Sequence, residues 1–305
     1  MSRIHEALKK AEQERTSRSS TEVSRDFLEV SADPSRVPIQ VAETPKPALP
    51  DLRLYAGVVP FRFEELLGKC LHPKWQLDPR VSVFHGADFG SMGAESFRTL
   101  RSRLHQIARI RQLKSVLVTS SLPAEGKTFV AANLAQSFVR QDHCRVLLID
   151  ADLRASRLHQ ALGAPAAPGL SDYLQGNCNE FDVIQNGTEG NLFFIPGGSS
   201  ALNPSELLLG ERMKLLLKQV TPAFDWVILD SPPALPVHDA SALADHCDGT
   251  LFVVRAGKTD FELAGKAVSE FRSKNLLGAV LNGIEKSESY TAYHYSYPVA
   301  ADTKI

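Results

Sequence analysis

The sequence has few cysteines, no long apolar run and almost no net charge. Its four cysteines form no Cys-x-x-Cys pair, which indicates reduced, buried thiols rather than a disulfide framework or a metal site. A net charge of −1 argues against a nucleic-acid-binding protein. No apolar run approaches the roughly 18 residues that a membrane-spanning helix needs, and the N-terminus lacks the core of a signal peptide. We therefore expect a cytoplasmic chain that reaches a membrane through a partner.

The composition changes along the chain and predicts four parts. Residues 1–15 predict a short amphipathic helix, which could dock onto a partner or lie free in solvent. Residues 16–80 comprise a flexible linker rich in Pro and Ser, followed from residue 51 by a segment without a predicted role. Residues 81–286 predict one folded domain, and residues 287–305 form a polar tail.

Within the folded domain, short apolar runs alternate with helical patterns. Continuous apolar strands separated by helices indicate a mostly parallel α/β sheet with helices on both faces. The predicted strands are residues 115–120, 145–150, 191–196, 226–230, 250–255 and 278–282, and the predicted helices include residues 94–108, 127–140, 204–219 and 260–275.

The segment SSLPAEGKT lies between a predicted strand and a predicted helix. A phosphate-binding loop at this place uses backbone N–H groups at a helix N-terminus, where the helix dipole favours an anion. Lys127 can reach the β- and γ-phosphates of a nucleotide, and the hydroxyl of Thr128 can ligate Mg²⁺. The predicted nucleotide-binding residues are Ser121, Ala124, Glu125, Gly126, Lys127, Thr128 and Phe129.

Three aspartates follow buried strands. Asp150 and Asp152 end the run VLLIDAD, and Asp230 ends WVILD. Ligands of open α/β sheets bind at the carboxyl ends of the strands, so these carboxylates can face one metal–phosphate centre. The alternative is that each aspartate only caps a helix or a turn.

Together these motifs resemble the bacterial protein-tyrosine kinases, or BY-kinases, of capsule and exopolysaccharide production. The resemblance covers about residues 90–285, and the Asp-x-Asp-x-Arg motif ending at Arg154 is its most specific part. The segments GLSDYLQG, NPSELL and LPVHDASALADHCDGTLFVVRAGKT are also similar. The chain resembles the split form of the family, in which a separate membrane protein of the polysaccharide machinery supplies the activating segment.

The resemblance implies ATP and Mg²⁺ as cofactors and assigns roles to the motif residues. Lys127 would neutralise charge on the transferred group, while Thr128 and Asp152 would hold the metal with Asp230 nearby. Asp150 is the candidate for accepting or orienting the tyrosine proton. Arg154 would contact the acceptor or another subunit.

The tail concentrates the tyrosines, with Tyr290, Tyr293, Tyr295 and Tyr297 in the last sixteen residues. The resemblance implies autophosphorylation of this cluster between subunits. The alternative is an edge strand, since the last three would share one face.

The motif Glu95-x-x-Arg98-x-x-Arg101 resembles the family's oligomerisation motif, so both arginines are expected to face a neighbouring subunit. A solvated basic face, or contact with anionic lipid, are the alternatives.

The match has two imperfections within the loop. Ala124 replaces a common glycine, which would cost on the order of 1 kcal/mol if the position needs a positive φ. Phe129 replaces a common hydroxyl residue, so a contact to the α-phosphate is expected to be missing. These changes keep a weakly active, nucleotide-gated scaffold as an alternative.

A ParA/MinD-like ATPase is a further alternative, although Leu122 stands where such proteins carry an extra lysine. Asn282 is a candidate contact for adenine.

Overall fold

The computed structural model describes residues 59–84, 91–187 and 190–284. The predicted helix at residues 1–15, the linker up to residue 58 and the tyrosine tail lie outside the described residues. No helix in the described part is both long enough and apolar enough to cross a membrane.

Seven strands form one sheet in the described part of the chain, in the order β3-β4-β2-β5-β1-β6-β7. Every neighbouring pair is parallel except β3 and β4. The strands are β1 (Ser115–Ser120), β2 (Val146–Asp150), β3 (Gln185–Asn186), β4 (Leu192–Ile195), β5 (Trp226–Asp230), β6 (Gly249–Arg255) and β7 (Leu276–Asn282). The mostly parallel sheet and all six predicted strands are confirmed. The two-residue β3 was not predicted, because so short a strand leaves no period-2 pattern.

Ten α-helices surround the sheet in the residues that the structure describes. They are α1 (Phe63–Lys69), α2 (Met92–Ile110), α3 (Lys127–Val139), α4 (Leu158–Leu162), α5 (Leu170–Leu174), α6 (Glu180–Val183), α7 (Pro204–Leu209), α8 (Glu211–Val220), α9 (Asp239–Ala244) and α10 (Phe261–Phe271). The single helix predicted at residues 204–219 is wrong: Gly210 has extended backbone angles of φ −66° and ψ 159° and separates α7 from α8.

The sheet separates two hydrophobic cores. Successive residues of β1 point to opposite faces, so Leu117 packs in one core while Val116 and Val118 pack in the other. All six residues of β1 are buried, as expected for a strand covered on both sides. This confirms the prediction of helices on both faces.

Helix α2 covers one face of the domain by packing on α3. Phe97 and Leu104 are buried, and Leu100 and Ile107 are partly buried against the same core, as the helical spacing predicted. The ring of Phe97 also contacts Phe129 at a centroid distance of 5.9 Å. The strand–loop–helix unit is therefore supported from outside by a second helix.

The segment just before residue 81 also packs on the sheet. Phe63 makes edge contacts with Phe193 and Phe224, at centroid distances of 5.5 and 6.3 Å. Leu66 is fully buried in the same core, and Trp75 packs edge-on against Phe194. The packed structure thus includes residues for which the sequence alone predicted no role.

We expect Leu66→Ala to lower the free energy of unfolding by about 2–5 kcal/mol, because it removes a fully buried side chain and leaves a cavity. Leu67→Ala is the matched control, since that neighbouring side chain is 44% exposed. Urea unfolding of both variants measures the difference. Equal losses would show that α1 does not belong to the core.

Candidate functional site

The loop between β1 and α3 has the backbone of a phosphate-binding turn. Gly126 adopts left-handed angles of φ 95° and ψ 22° at the N-terminus of α3, and no side chain caps this helix end. The first N–H groups of a helix lack partners within the helix, and its dipole is positive there. A 13-residue helix therefore presents an anion-binding end beside Lys127.

Four predicted side chains meet at this helix end. Strands β1, β2 and β5 are adjacent, and Asp150 lies opposite Asp230 in the register of β2 and β5. Lys127 Nζ donates to Asp152 Oδ2 at 2.7 Å and lies 3.9 Å from Asp230 Oδ1. Thr128 Oγ1 donates to Asp230 Oδ2 at 2.6 Å. The carboxylates of Asp152 and Asp230 thus both lie close to the ammonium group of Lys127.

Burial dominates the electrostatics of this cluster. It raises the pKa of Asp230 to about 7, although the positive charge of Lys127 acts to lower it. Burial also acts to lower the pKa of Lys127, but the carboxylates of Asp230 and Asp152 outweigh this effect and raise that pKa. Lys127 therefore keeps its positive charge, while Asp230 can exchange a proton near neutral pH.

The donor set fits a nucleotide with Mg²⁺ better than a metal held by protein alone. In residues 59–84, 91–187 and 190–284, no three His, Cys, Asp or Glu side chains form a metal-binding group. Mg²⁺ at nucleotide sites takes one or two carboxylates, substrate phosphates and waters. Asp230 Oδ1 and Ser121 Oγ are buried without a hydrogen-bond partner, so both can serve a ligand. Thr128, Asp152 and Asp230 stay the predicted metal ligands.

Asp150 anchors the segment that carries Asp152 and Arg154. Its Oδ2 accepts hydrogen bonds from Ser156 Oγ at 2.7 Å and from the N–H of Leu158 at 3.0 Å. Its Oδ1 accepts from the N–H of Asp152 at 3.2 Å. Burial raises the pKa of this carboxyl, and the bonds from Ser156 and Leu158 oppose that rise. Accepting or orienting the tyrosine proton stays the predicted role of Asp150.

Arg154 is held by two residues that the sequence analysis did not single out. Its Nε donates to Asp239 Oδ2 and its Nη2 to Ser205 Oγ, both at 2.8 Å. These partners lie in LPVHDASALADHCDG and NPSELL, the only signal in the sequence that could have indicated them. A cavity of about 600 Å³ adjoins the three residues, lined also by Leu209 and Pro236.

Three further residues that the sequence predicted to bind the nucleotide, Ala124, Glu125 and Asn282, are described by their backbone angles and their contacts within the protein. Ala124 has a positive φ of 65°, the condition under which the sequence predicted strain. The carboxylate of Glu125 accepts from the N–H of Leu122 and from Thr259 Oγ1. Asn282 Nδ2 donates to the carbonyl of Glu125 at 2.9 Å.

The predicted oligomerisation motif lies on α2. Arg98 Nη1 donates to Glu95 Oε2 at 2.9 Å on the helix surface. Arg101 donates through Nη1 to the carbonyl of Ser137 on α3, and its contact with a neighbouring subunit stays a prediction. Burial, followed by the charge of Arg98, lowers the pKa of Arg101. At least one arginine of the motif therefore has a role within the subunit.

The strand–loop–helix unit, its lysine and the carboxylates on the next strands define a P-loop nucleotide-binding protein of the α/β class. Residues 124–268 match a family described as an AAA domain. The septum-site-determining protein MinD of Pyrococcus horikoshii, solved with Mg-ADP, has a similar fold, with a TM-score of 0.50 over 58% of this chain and 73% of MinD, at 21% identity.

Three tyrosine kinases are more similar. Tyrosine-protein kinase YwqD of Bacillus subtilis is 39% identical over 67% of this chain and 86% of YwqD. The solved kinase domain of Escherichia coli ETK is 36% identical, with a TM-score of 0.61 over 67% of this chain and 80% of that domain. Tyrosine-protein kinase wzc of Salmonella typhimurium is 35% identical over 70% of this chain, but this chain spans only 30% of wzc. The chain belongs to the bacterial tyrosine-protein kinases, as the resemblance predicted.

We expect Asp230→Asn to change how stability depends on pH in the absence of nucleotide. The folded-state pKa lies above the ordinary value of 3.8, so between pH about 4 and 7 the folded protein retains a proton that the unfolded chain releases. This group's contribution to stability therefore falls as the pH rises through that window. Between pH about 4 and 7, the free energy of unfolding of the variant should rise by roughly 2–4 kcal/mol relative to that of the parent. Urea unfolding at several pH values measures this difference. Stability curves that stay parallel would contradict this; exposed Asp142→Asn controls for a lost surface charge.

We expect Ala124→Gly to leave the free energy of unfolding unchanged or to raise it by up to about 1 kcal/mol. Relief of the left-handed strain offsets the greater freedom of glycine in the unfolded chain. Ala108→Gly, within helix α2, is the control and should cost about 1 kcal/mol. Urea unfolding compares the two, and similar losses would show that Ala124 is unstrained.

Proposed function

We propose that this chain transfers the γ-phosphate of ATP to Tyr290, Tyr293, Tyr295 and Tyr297 of a neighbouring subunit. We propose further that this autophosphorylation regulates capsular or exopolysaccharide biosynthesis and export. The observation that supports the proposal best is the meeting of Lys127, Thr128, Asp152 and Asp230 at the N-terminus of α3. Phosphoryl transfer depends mostly on positioning and charge stabilisation, and this cluster offers both.

Each side chain has a distinct task in this proposal. Lys127 neutralises negative charge on the transferred group, while Thr128, Asp152 and Asp230 hold Mg²⁺ directly or through water. Mg²⁺, when bound, supplies charge neutralisation at the phosphates. Asp150 keeps Asp152 in place through its hydrogen bonds, and accepting or orienting the tyrosine proton remains its proposed chemical role.

The acceptor side of the site is the region around Arg154. Its side chain is 41% exposed, in contrast to the 11% of Lys127. Asp239 and Ser205 fix two of its nitrogens, so the guanidinium is oriented at a surface that another chain can reach. We propose that Arg154 steadies the acceptor segment of the neighbouring subunit or the contact between the subunits.

The proposed assembly is a homo-oligomer at the inner face of the plasma membrane, recruited by a membrane-embedded activator of the polysaccharide machinery. Glu95 and Arg98, exposed and partly exposed on α2, are the proposed subunit contacts of the Glu-x-x-Arg-x-x-Arg motif. In this organisation residues 1–15 and the linker precede the kinase domain, and residues 287–305 form the acceptor tail. Phosphates on the tail would repel the acidic site and favour disassembly.

The positive φ of Ala124 favours a second candidate. An alanine at positive φ costs energy that a glycine would not, so the loop would be preorganised less well, which would suit a weakly active chain that acts as a nucleotide-gated scaffold. Binding of ATP without phosphotyrosine formation would distinguish this function from the kinase.

We expect Lys127→Met to abolish phosphotyrosine at residues 290–297 after incubation with ATP and Mg²⁺. The change removes the charge that faces Asp152 and the transferred group. Mass spectrometry of the tail measures the product. Lys214→Met is the matched control, because that lysine forms a surface pair with Glu211 far from the motif residues in sequence.

The kinase proposal fails if the parent protein forms no phosphotyrosine in the tail. Release of inorganic phosphate alone would instead indicate a ParA/MinD-like ATPase. Tail phosphorylation that persists in Lys127→Met would show that this site is not the catalytic one.

A further inference from the structure

Side chains of β6, β7 and the turn after β6 hold the phosphate-binding loop by hydrogen bonds. These strands lie on the side of β1 opposite to β5. Arg255 Nη1 donates to the carbonyl of Ala124 at 3.0 Å. Asn282 Nδ2 donates to the carbonyl of Glu125 at 2.9 Å. Two successive carbonyls of the loop are therefore held by residues more than a hundred positions away in sequence. We call Arg255, Thr259 and Asn282 the loop clamp.

Thr259 completes the clamp through the side chain of Glu125. Its hydroxyl accepts a hydrogen bond from the N–H of Arg255 at 3.1 Å and donates to Glu125 Oε1. The other carboxylate oxygen accepts from the N–H of Leu122 at 2.9 Å. Glu125 is only 3% exposed, so its carboxyl group is buried inside the loop. Both of its oxygens serve the shape of the loop.

Peptide geometry converts these contacts into a direction for the loop amides. The C=O and N–H of a trans peptide point in opposite directions. Holding the carbonyls of Ala124 and Glu125 therefore turns the following N–H groups, those of Glu125 and Gly126, to the opposite side. Neither N–H group donates a hydrogen bond to the described part of the chain. Convergent N–H groups of this kind form an anion-binding nest.

The clamp also accounts for two unusual backbone positions. Ala124 and Gly126 both have positive φ, at 65° and 95°, and such conformations persist when the surroundings enforce them. A Cβ atom at Gly126 would lie 2.0 Å from Asn282 Nδ2. The positive φ favours glycine at this position, and a side chain there would displace the amide of Asn282 from the loop.

We propose that Arg255, Thr259 and Asn282 are positioning residues for phosphate binding, which act by fixing the N–H groups of Glu125 and Gly126 and not by touching the nucleotide. This inference rests on the proposed nucleotide-binding function. It assigns Asn282 to the loop, whereas the sequence alone suggested a contact with adenine. The two roles of Asn282 predict different losses of affinity when this residue is substituted. A contact with adenine affects only ligands that carry the base, whereas a contact with the loop affects all ligands that carry phosphates.

The test compares binding of Mg·ATP and of magnesium tripolyphosphate, which has no base or ribose, by isothermal titration calorimetry. Thr259→Val keeps the shape of the side chain but loses the hydroxyl, and should weaken both ligands about tenfold, as expected for one hydrogen bond to a carboxylate. Thr259→Ser should retain the affinity of the parent. Asn282→Ala should weaken both ligands by the same factor.

Thr250→Val is the matched control at the other end of β6. Its buried hydroxyl donates to the carbonyl of Lys274 at 3.2 Å, so the change should lower thermal stability without altering either affinity. Thermal unfolding of every variant separates loss of fold from loss of binding. Should Thr259→Val fail to fold, Thr259→Ser and Asn282→Ala still decide the question by their relative effects on the two ligands.

Unchanged tripolyphosphate binding in folded Thr259→Val would overturn the clamp. So would an Asn282→Ala variant that loses affinity for ATP alone, since this is the behaviour of an adenine contact. If the parent protein binds neither ligand, the proposed nucleotide function itself is wrong. If the parent binds both ligands and the variants bind them equally well, only the clamp is wrong.

Discussion

The buried ion pair between Lys127 and Asp152, with Asp230 close by, is the interaction on which the site depends. Removing such charges from water costs several kcal/mol per ion unless each has a partner. Once Asp230 is ionised, two carboxylates face one ammonium group, and nucleotide phosphates would add more negative charge. A divalent cation bound with the nucleotide would offset this excess, which supports the proposed Mg²⁺. Burial raises the pKa of Asp230 to about 7 against the opposing charge of Lys127, so this carboxyl is the one whose ionisation sets the charge of the site.

The sheet makes this arrangement possible. Asp150 and Asp230 are opposite each other because β2 and β5 are parallel neighbours in register, and Lys127 begins the helix that follows β1 on the other side of β5. Parallel strands must be covered on both faces, and the two hydrophobic cores meet this requirement. The packing of helices on the sheet therefore both stabilises the cores and sets the positions of the side chains in the site.

The sequence predicted those features that local patterns encode. Apolar runs located six strands, and the loop and the aspartates at strand ends located the site. Contacts between distant segments could not be read in this way: Arg154 pairs with Asp239, 85 positions later, and Asn282 holds Glu125 across 157 positions. The contact of Arg101 with α3 follows from the helical period, since Arg101 lies four residues after Phe97 and three before Leu104. The subunit contact that the motif resemblance implies for Arg101 stays a prediction.

The two sides of the site differ in how firmly they are built. On the nucleotide side, Lys127 and Asp152 are almost fully buried and pair with each other at 2.7 Å. On the proposed acceptor side, the side chain of Arg154 is 41% exposed, although Asp239 and Ser205 orient it. A small ligand bound repeatedly in one pose benefits from a rigid enclosure, because little ordering is left to binding. An acceptor that belongs to another protein chain has to approach from solvent, so that side must stay open. This asymmetry therefore supports the proposed roles, in which the donor is a nucleotide and the acceptor is a protein.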